Sequence, residues 1–205
     1  NQEPPLDLPA ATSRFPTDFD DNIPKLAQAS IGQNDVAATP LQMALVAAGI
    51  ANNGVILEPH VVETVRDEDG DLVETLEPTV WKEAVSPQTA DIMRQAMREV
   101  VATGSATRLQ IDGVDVGAKT GTAQFGPSEP LQSHAWVIAW AGPPGQVPTV
   151  AVAVLVEGQP GASEQTGGRV AAPIAKQVIE QALLPMPAPP PAGGETDPVT
   201  PEVGN

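Results

Sequence analysis

Lys119-Thr120-Gly121-Thr122 puts a cation, two hydroxyls and a residue without a side chain on one short stretch that follows the apolar positions Val114, Val116 and Ala118. A lysine held in a partly dry cleft can orient an anionic substrate and assist proton transfer. Read alone, it is also an ordinary edge residue of a strand. Thr120 and Thr122 share strand parity, so both hydroxyls can face one groove, although threonine favours strands in any case. Gly121 would let a peptide backbone lie along an edge strand, or would serve as a packing glycine. Strict alternation sets Lys119 opposite Thr120, so period alone does not bring the cation to the hydroxyls. Gln124, Phe125 and Gly126 are expected to begin the loop that leaves this strand. There Gln124 either touches substrate or is a plain loop residue.

Other chemistries are narrowed by composition. The chain has no cysteine, which removes thiolate metal sites, disulfides and cysteine nucleophiles. His60 and His134 lie far apart without metal-ligand spacing and read as structural or surface residues; no metal or cofactor is implied. Ten Lys and Arg against 26 Asp and Glu give a net charge of −16, which argues against nucleic acid or an anionic membrane as partner. No apolar run approaches membrane-spanning length.

The elements that must position the Lys-Thr-Gly stretch can be placed from capping and periodicity. Residues 1–24 read as irregular, broken by Pro4, Pro5, Pro9 and Pro16, and Asn1 has the look of a cut end. Thr39-Pro40-Leu41-Gln42 opens the first helix with a Thr-x-x-Gln capping box, and the following apolar run to Ala51 predicts a buried helix ended by Asn53-Gly54. Val61–Val65 and Leu72–Leu76 flank Asp67-Glu68-Asp69-Gly70 as a surface hairpin. Ser86-Pro87 caps a second helix with Ile92, Ala96, Met97, Val100 and Val101 as its apolar stripe. Three strands follow: Val114 to Gln124, Ala135–Ala141 and Val150–Val156. A last helix follows Gly167-Gly168, with Ile174, Val178, Ala182 and Leu183 expected inside. Trp81, Trp136 and Trp140 read as core anchors in a core otherwise built from Ala, Val, Leu and Ile. From Pro185 onward the Pro/Gly/acidic composition predicts a disordered tail.

Four blocks in order resemble the C-terminal half of a class B penicillin-binding protein transpeptidase domain. They are Ile31-Gly32-Gln33; Thr39-Pro40-Leu41-Gln42-Met43-Ala44 with Ala51-Asn52-Asn53-Gly54; Lys119 to Gln124; and Gly167-Gly168-Arg169-Val170-Ala171-Ala172-Pro173-Ile174. The similarity spans roughly 23–184, and composition with the Pro-rich tail points to the actinobacterial penicillin-binding protein A group. Domain boundaries follow as 1–24 irregular, 25–184 transpeptidase half and 185–205 tail.

That resemblance implies an α/β (α+β) fold, an antiparallel sheet flanked by helices and incomplete in this chain. It also implies serine acyl transfer from stem peptides ending in D-Ala-D-Ala, with β-lactams as acylating inhibitors. Lys119 becomes the fixed catalytic cation. Thr120, Gly121, Thr122 and Gln124 become substrate-binding residues, and the backbone N–H of Thr122 one oxyanion-hole donor. Yet no serine here (Ser13, Ser30, Ser86, Ser105, Ser128, Ser133, Ser163) has lysine three residues on or asparagine two residues on. The Ser-x-x-Lys and Ser-x-Asn motifs must therefore come from an upstream fragment of the same protein. A membrane glycosyltransferase is a further partner the resemblance suggests, with the work done on the extracytoplasmic face of the membrane. A D,D-carboxypeptidase, a serine β-lactamase, a penicillin-sensing domain and a non-catalytic scaffold are the competing readings.

Overall fold

The computed structural model describes residues 1–125, 132–158 and 165–185. The tail expected over 185–205 lies outside them apart from Pro185, as does Gly126. The architecture is mixed α/β with antiparallel pairing throughout. In chain order the elements are α1 (Ile23–Ser30), α2 (Pro40–Ala51), β1 (Val55–Leu57), β2 (Thr64–Arg66), β3 (Leu72–Thr75) and β4 (Val80–Glu83), followed by α3 (Pro87–Ala102), β5 (Asp115–Phe125), β6 (Gln132–Gly142), β7 (Val150–Val156) and α4 (Ala172–Ala182). A 3₁₀ turn, Thr107–Leu109, precedes β5, and a π-helical turn, Gly167–Ala171, precedes α4.

The central sheet runs β5-β6-β7, with β5 at one margin. Val116, Ala118, Val137, Ala139 and Ala141 face Ala172, Ala175 and Ile179 of α4 in one core layer. Trp140, fully buried, points to the other face, where it meets Ala51 of α2 and Met97 of α3. The expected aliphatic core is thus present, and its alanines let α4 lie close against the sheet.

Local signals explain most termini. Thr39 Oγ1 accepts from the Gln42 N–H at 3.1 Å, and Ser86 Oγ from the Thr89 N–H at 3.2 Å. The second half of the capping box is supplied differently, because the Thr39 N–H donates to Ser13 Oγ at 3.0 Å. Asn53 and Gly54 adopt positive φ after α2. The acidic hairpin forms as β2–β3, shorter than its flanking apolar residues suggested.

Several expectations need correction. A helix, α1, precedes Pro40; Asn22 Oδ1 caps it through the Lys25 N–H at 3.0 Å, and Pro24 falls in the first turn, where a missing N–H costs nothing. On α3, Met97 and Val101 are buried, but Ile92 is 66% exposed and Ala96 also faces out. On α4, Ile174 and Val178 are exposed while Ala175 and Ile179 face the sheet; Ala182 is exposed and Leu183 packs at the core margin. On α4 the sheet takes Ala172 and Ala175 together with Ile179, and alanine permits the close approach; on α3 the larger Met97 and Val101 are the residues that pack inward. Of the tryptophans only Trp140 is a core anchor: Trp81 is half-buried with Lys82 Nζ 4.4 Å from its ring, and Trp136 lines a cavity.

Candidate functional site

The Lys-Thr-Gly residues occupy the middle of β5, in register with the centre of β6: Lys119 opposite Ile138, Thr120 opposite Val137, Gly121 opposite Trp136, Thr122 opposite Ala135. Buried Val116 and Ala118 fix the strand, so the alternation continues into the exposed half without slipping. Thr120 and Thr122 therefore lie on the α4 side of the sheet, and Lys119 and Gly121 on the side of Trp136 and Ile138.

The lysine ammonium reaches the strand margin, with the hydroxyls flanking it on the other face. Lys119 Nζ bends back to donate to the Thr120 carbonyl at 2.6 Å, and Gln33 Nε2 makes a long 3.4 Å contact with the Thr122 carbonyl. Both carbonyls thus point away from β6, to the open edge. In a strand the N–H and C=O of one residue point the same way, so the Thr122 N–H is presented there too. One margin gathers an ammonium group, a backbone donor and two hydroxyls at its flank.

Two concavities adjoin this margin. A cavity of about 250 Å³ on the lysine side is mostly apolar, walled by Ile31, Met43, Trp136 and Ile138. A groove of about 490 Å³ on the threonine side carries Thr120 and Thr122 together with Ser105, Arg108, Thr166 and Arg169. Ser105 Oγ and Thr120 Oγ1 are hydrogen-bonded at 2.6 Å, and Arg108 Nη1 donates to the Arg169 carbonyl at 3.1 Å.

The penicillin binding protein transpeptidase domain model matches residues 1–180. The chain belongs to that family. The peptidoglycan D,D-transpeptidase PbpA of Mycolicibacterium smegmatis is 42% identical over 184 residues, covering 88% of this chain and 36% of that protein. PbpA of Mycobacterium tuberculosis strain CDC 1551 is 44% identical over 162 residues, covering 77% of this chain and 32% of that protein. The ceftriaxone acyl-enzyme complex of M. tuberculosis penicillin-binding protein A superposes with a TM-score of 0.74 at 38% identity, covering 88% of this chain and 41% of that one. The chain spans about a third of the length of the curated relatives it matches.

Among the site residues read from the sequence, Lys119, Thr120, Gly121 and Thr122 are brought together. Gln124 is not a loop residue: it remains in β5, paired with Ser133, is exposed, and lines neither concavity. Phe125 also stays in the strand and stacks on His134 at 4.0 Å between ring centroids, while His134 Nδ1 accepts from the Gly158 N–H at 3.2 Å. That ring pair lengthens β5 beyond its apolar pattern. Ser105, Arg108 and Thr166 were missed. Their only sequence signal is position, just after Gly104 and just before Gly167-Gly168, where turns approach the strand.

Proposed function

We propose that this chain is the Lys-Thr-Gly-bearing portion of a peptidoglycan D,D-transpeptidase. The observation that carries the reading is the convergence at the β5 margin of the Lys119 ammonium, the Thr122 N–H and the Thr120 and Thr122 hydroxyls beside two concavities. Such an edge can hold an extended peptide in β-like pairing, which suits a stem peptide ending in D-Ala-D-Ala. Thr122 N–H is one oxyanion-hole donor for the tetrahedral intermediate; its partner is the N–H of a serine nucleophile. Lys119 supplies a fixed positive charge for proton transfer near that serine and for the donor's terminal carboxylate. Thr120 and Thr122 hydroxyls bond the carboxylate, and Gly121 keeps the edge clear for the peptide.

The serine comes from residues outside this chain, in Ser-x-x-Lys, with a Ser-x-Asn motif completing the site. The serine attacks the carbonyl of the penultimate D-Ala, the D-Ala–D-Ala amide breaks, and the departing D-Ala takes a proton. An amine of a second stem then displaces the serine, so one amide replaces another without nucleotide. This energetics suits the extracytoplasmic face of the membrane, in company with a glycosyltransferase. The test is release of D-Ala by the complete protein from a D-Ala-D-Ala peptide carrying an acyl chain, with and without an added amine acceptor. Transpeptidation predicts that amine is incorporated as D-Ala is released. Hydrolysis alone, with no amine incorporated, points instead to a carboxypeptidase.

A further inference from the structure

Ser105 and Arg108 belong to the turn that delivers the chain into β5, and nothing in the Lys-Thr-Gly reading uses them. The turn is anchored from below: Ala106 and Leu109 are fully buried, and the Ala106 N–H donates to the Val100 carbonyl at 3.0 Å. It is held from above by the π-helical turn. A Cβ on Gly168 would fall 1.9 Å from the Ser105 carbonyl, and Arg108 Nη1 bonds the Arg169 carbonyl at 3.1 Å. Two turns, each fixed by packing, thus close over the hydroxyl of Thr120.

In a chain whose acidic residues outnumber its basic ones 26 to ten, the described lining of this groove includes Arg108. Arg108 makes no ion pair with a carboxylate among the described residues. A guanidinium presents five donors, and among the described residues Arg108 makes one hydrogen bond.

We propose that Ser105 is a positioning residue and Arg108 a specificity-determining charge for anion recognition on the threonine side of β5. The inference rests on the transpeptidase reading and extends it to residues outside the Lys-Thr-Gly motif. When a carboxylate enters, Thr120 must donate its proton to it. The oxygen of Thr120 then accepts from Ser105, and the three groups form one hydrogen-bonded chain, each bond strengthening the next. Arg108 adds a positive charge on the threonine side, beside the one Lys119 supplies at the strand margin, and so favours an anionic over a neutral ligand. The ligand class is the carboxylate of a donor peptide or of a β-lactam acid.

The test uses the complete protein and two probes, benzylpenicillin and its methyl ester, which differ only in the anion. Second-order acylation rates are measured for the parent, R108Q, R108M, S105A and S105T. Ser105 and Arg108 are exposed, so none of these substitutions empties the core, and the ester rate reports folding of each variant. R108Q and R108M are expected to slow the acid about tenfold and leave the ester within about twofold; S105A behaves alike, and S105T recovers the acid rate. Equal effects on acid and ester, or none on either, would overturn the proposal. A parent that acylates with both probes at the same rate would also overturn it, while leaving the transpeptidase reading intact. A parent acylated by neither would remove that reading itself.

Discussion

At the residue scale, Lys119 stands out in its tripeptide, but the position of its ammonium could not be read from the sequence. Alternation places it across the strand, and only the backward bend of its long side chain to the Thr120 carbonyl brings the ammonium to the margin. Lys119→Ala should therefore cost chemistry and not folding, because Lys119 is exposed and alanine leaves the strand intact. Acylation of the complete protein by penicillin should fall by about 100-fold or more, with melting temperature within error of the parent. Thr122→Val should lose less, about tenfold, since the backbone donor survives and one hydroxyl is removed. A Thr122→Val loss as large as that of Lys119→Ala would mean the hydroxyl, and not the N–H, is the main contribution of this residue.

At the element scale, the three central strands and the caps of α2 and α3 could be read directly, because period-two patterning and Ser/Thr-Pro starts are local signals. The faces of α3 and α4 could not. On α4 the apolar stripe competes with Ala175 for the sheet and close approach favours the alanine, whereas on α3 packing keeps Met97 and Val101 inside and leaves Ile92 and Ala96 out. Close approach also fixes the turn before α4, where a Cβ on Gly167 would lie 1.9 Å from the Trp136 carbonyl and 2.9 Å from the Gly121 carbonyl. Gly167→Ala should cost about 1–3 kcal/mol by overpacking, read as a lower melting temperature, and should slow acylation because it presses on Trp136 of β6 and on Gly121, its partner in the Lys-Thr-Gly strand. The start of β5 is tied to α3 by Arg98, whose Nε and Nη2 bond the two oxygens of Asp115 at 2.8 and 2.7 Å while its guanidinium lies 5.0 Å from the Trp140 ring. The Asp115 hydrogen bond raises the Arg98 pKa above its ordinary value, against a smaller lowering by burial, so the guanidinium stays charged at any working pH. Asp115→Asn should reduce stability by about 1–2 kcal/mol in a denaturant titration, less than a fully buried pair because Arg98 is partly exposed. No change at all would mean the pair only decorates the surface.

At the scale of the whole molecule, the family was legible because four spaced blocks survive in order, whereas the threonine-side groove was not, because turns distant in sequence build it. Ser105, Thr120 and Thr166 carry no shared period. They meet only through glycines that let two turns touch the sheet. The central claim is that this chain furnishes one wall of an acylating site whose nucleophile lies elsewhere in the protein. The most direct measurement is labelling of the complete protein and of residues 1–205 alone with a fluorescent penicillin, followed by mapping of the modified peptide. The account predicts one adduct per complete protein, on a serine of a Ser-x-x-Lys motif outside residues 1–205, and none on the separate chain. A stoichiometric adduct on any serine within residues 1–205, or no adduct on the complete protein, would contradict it.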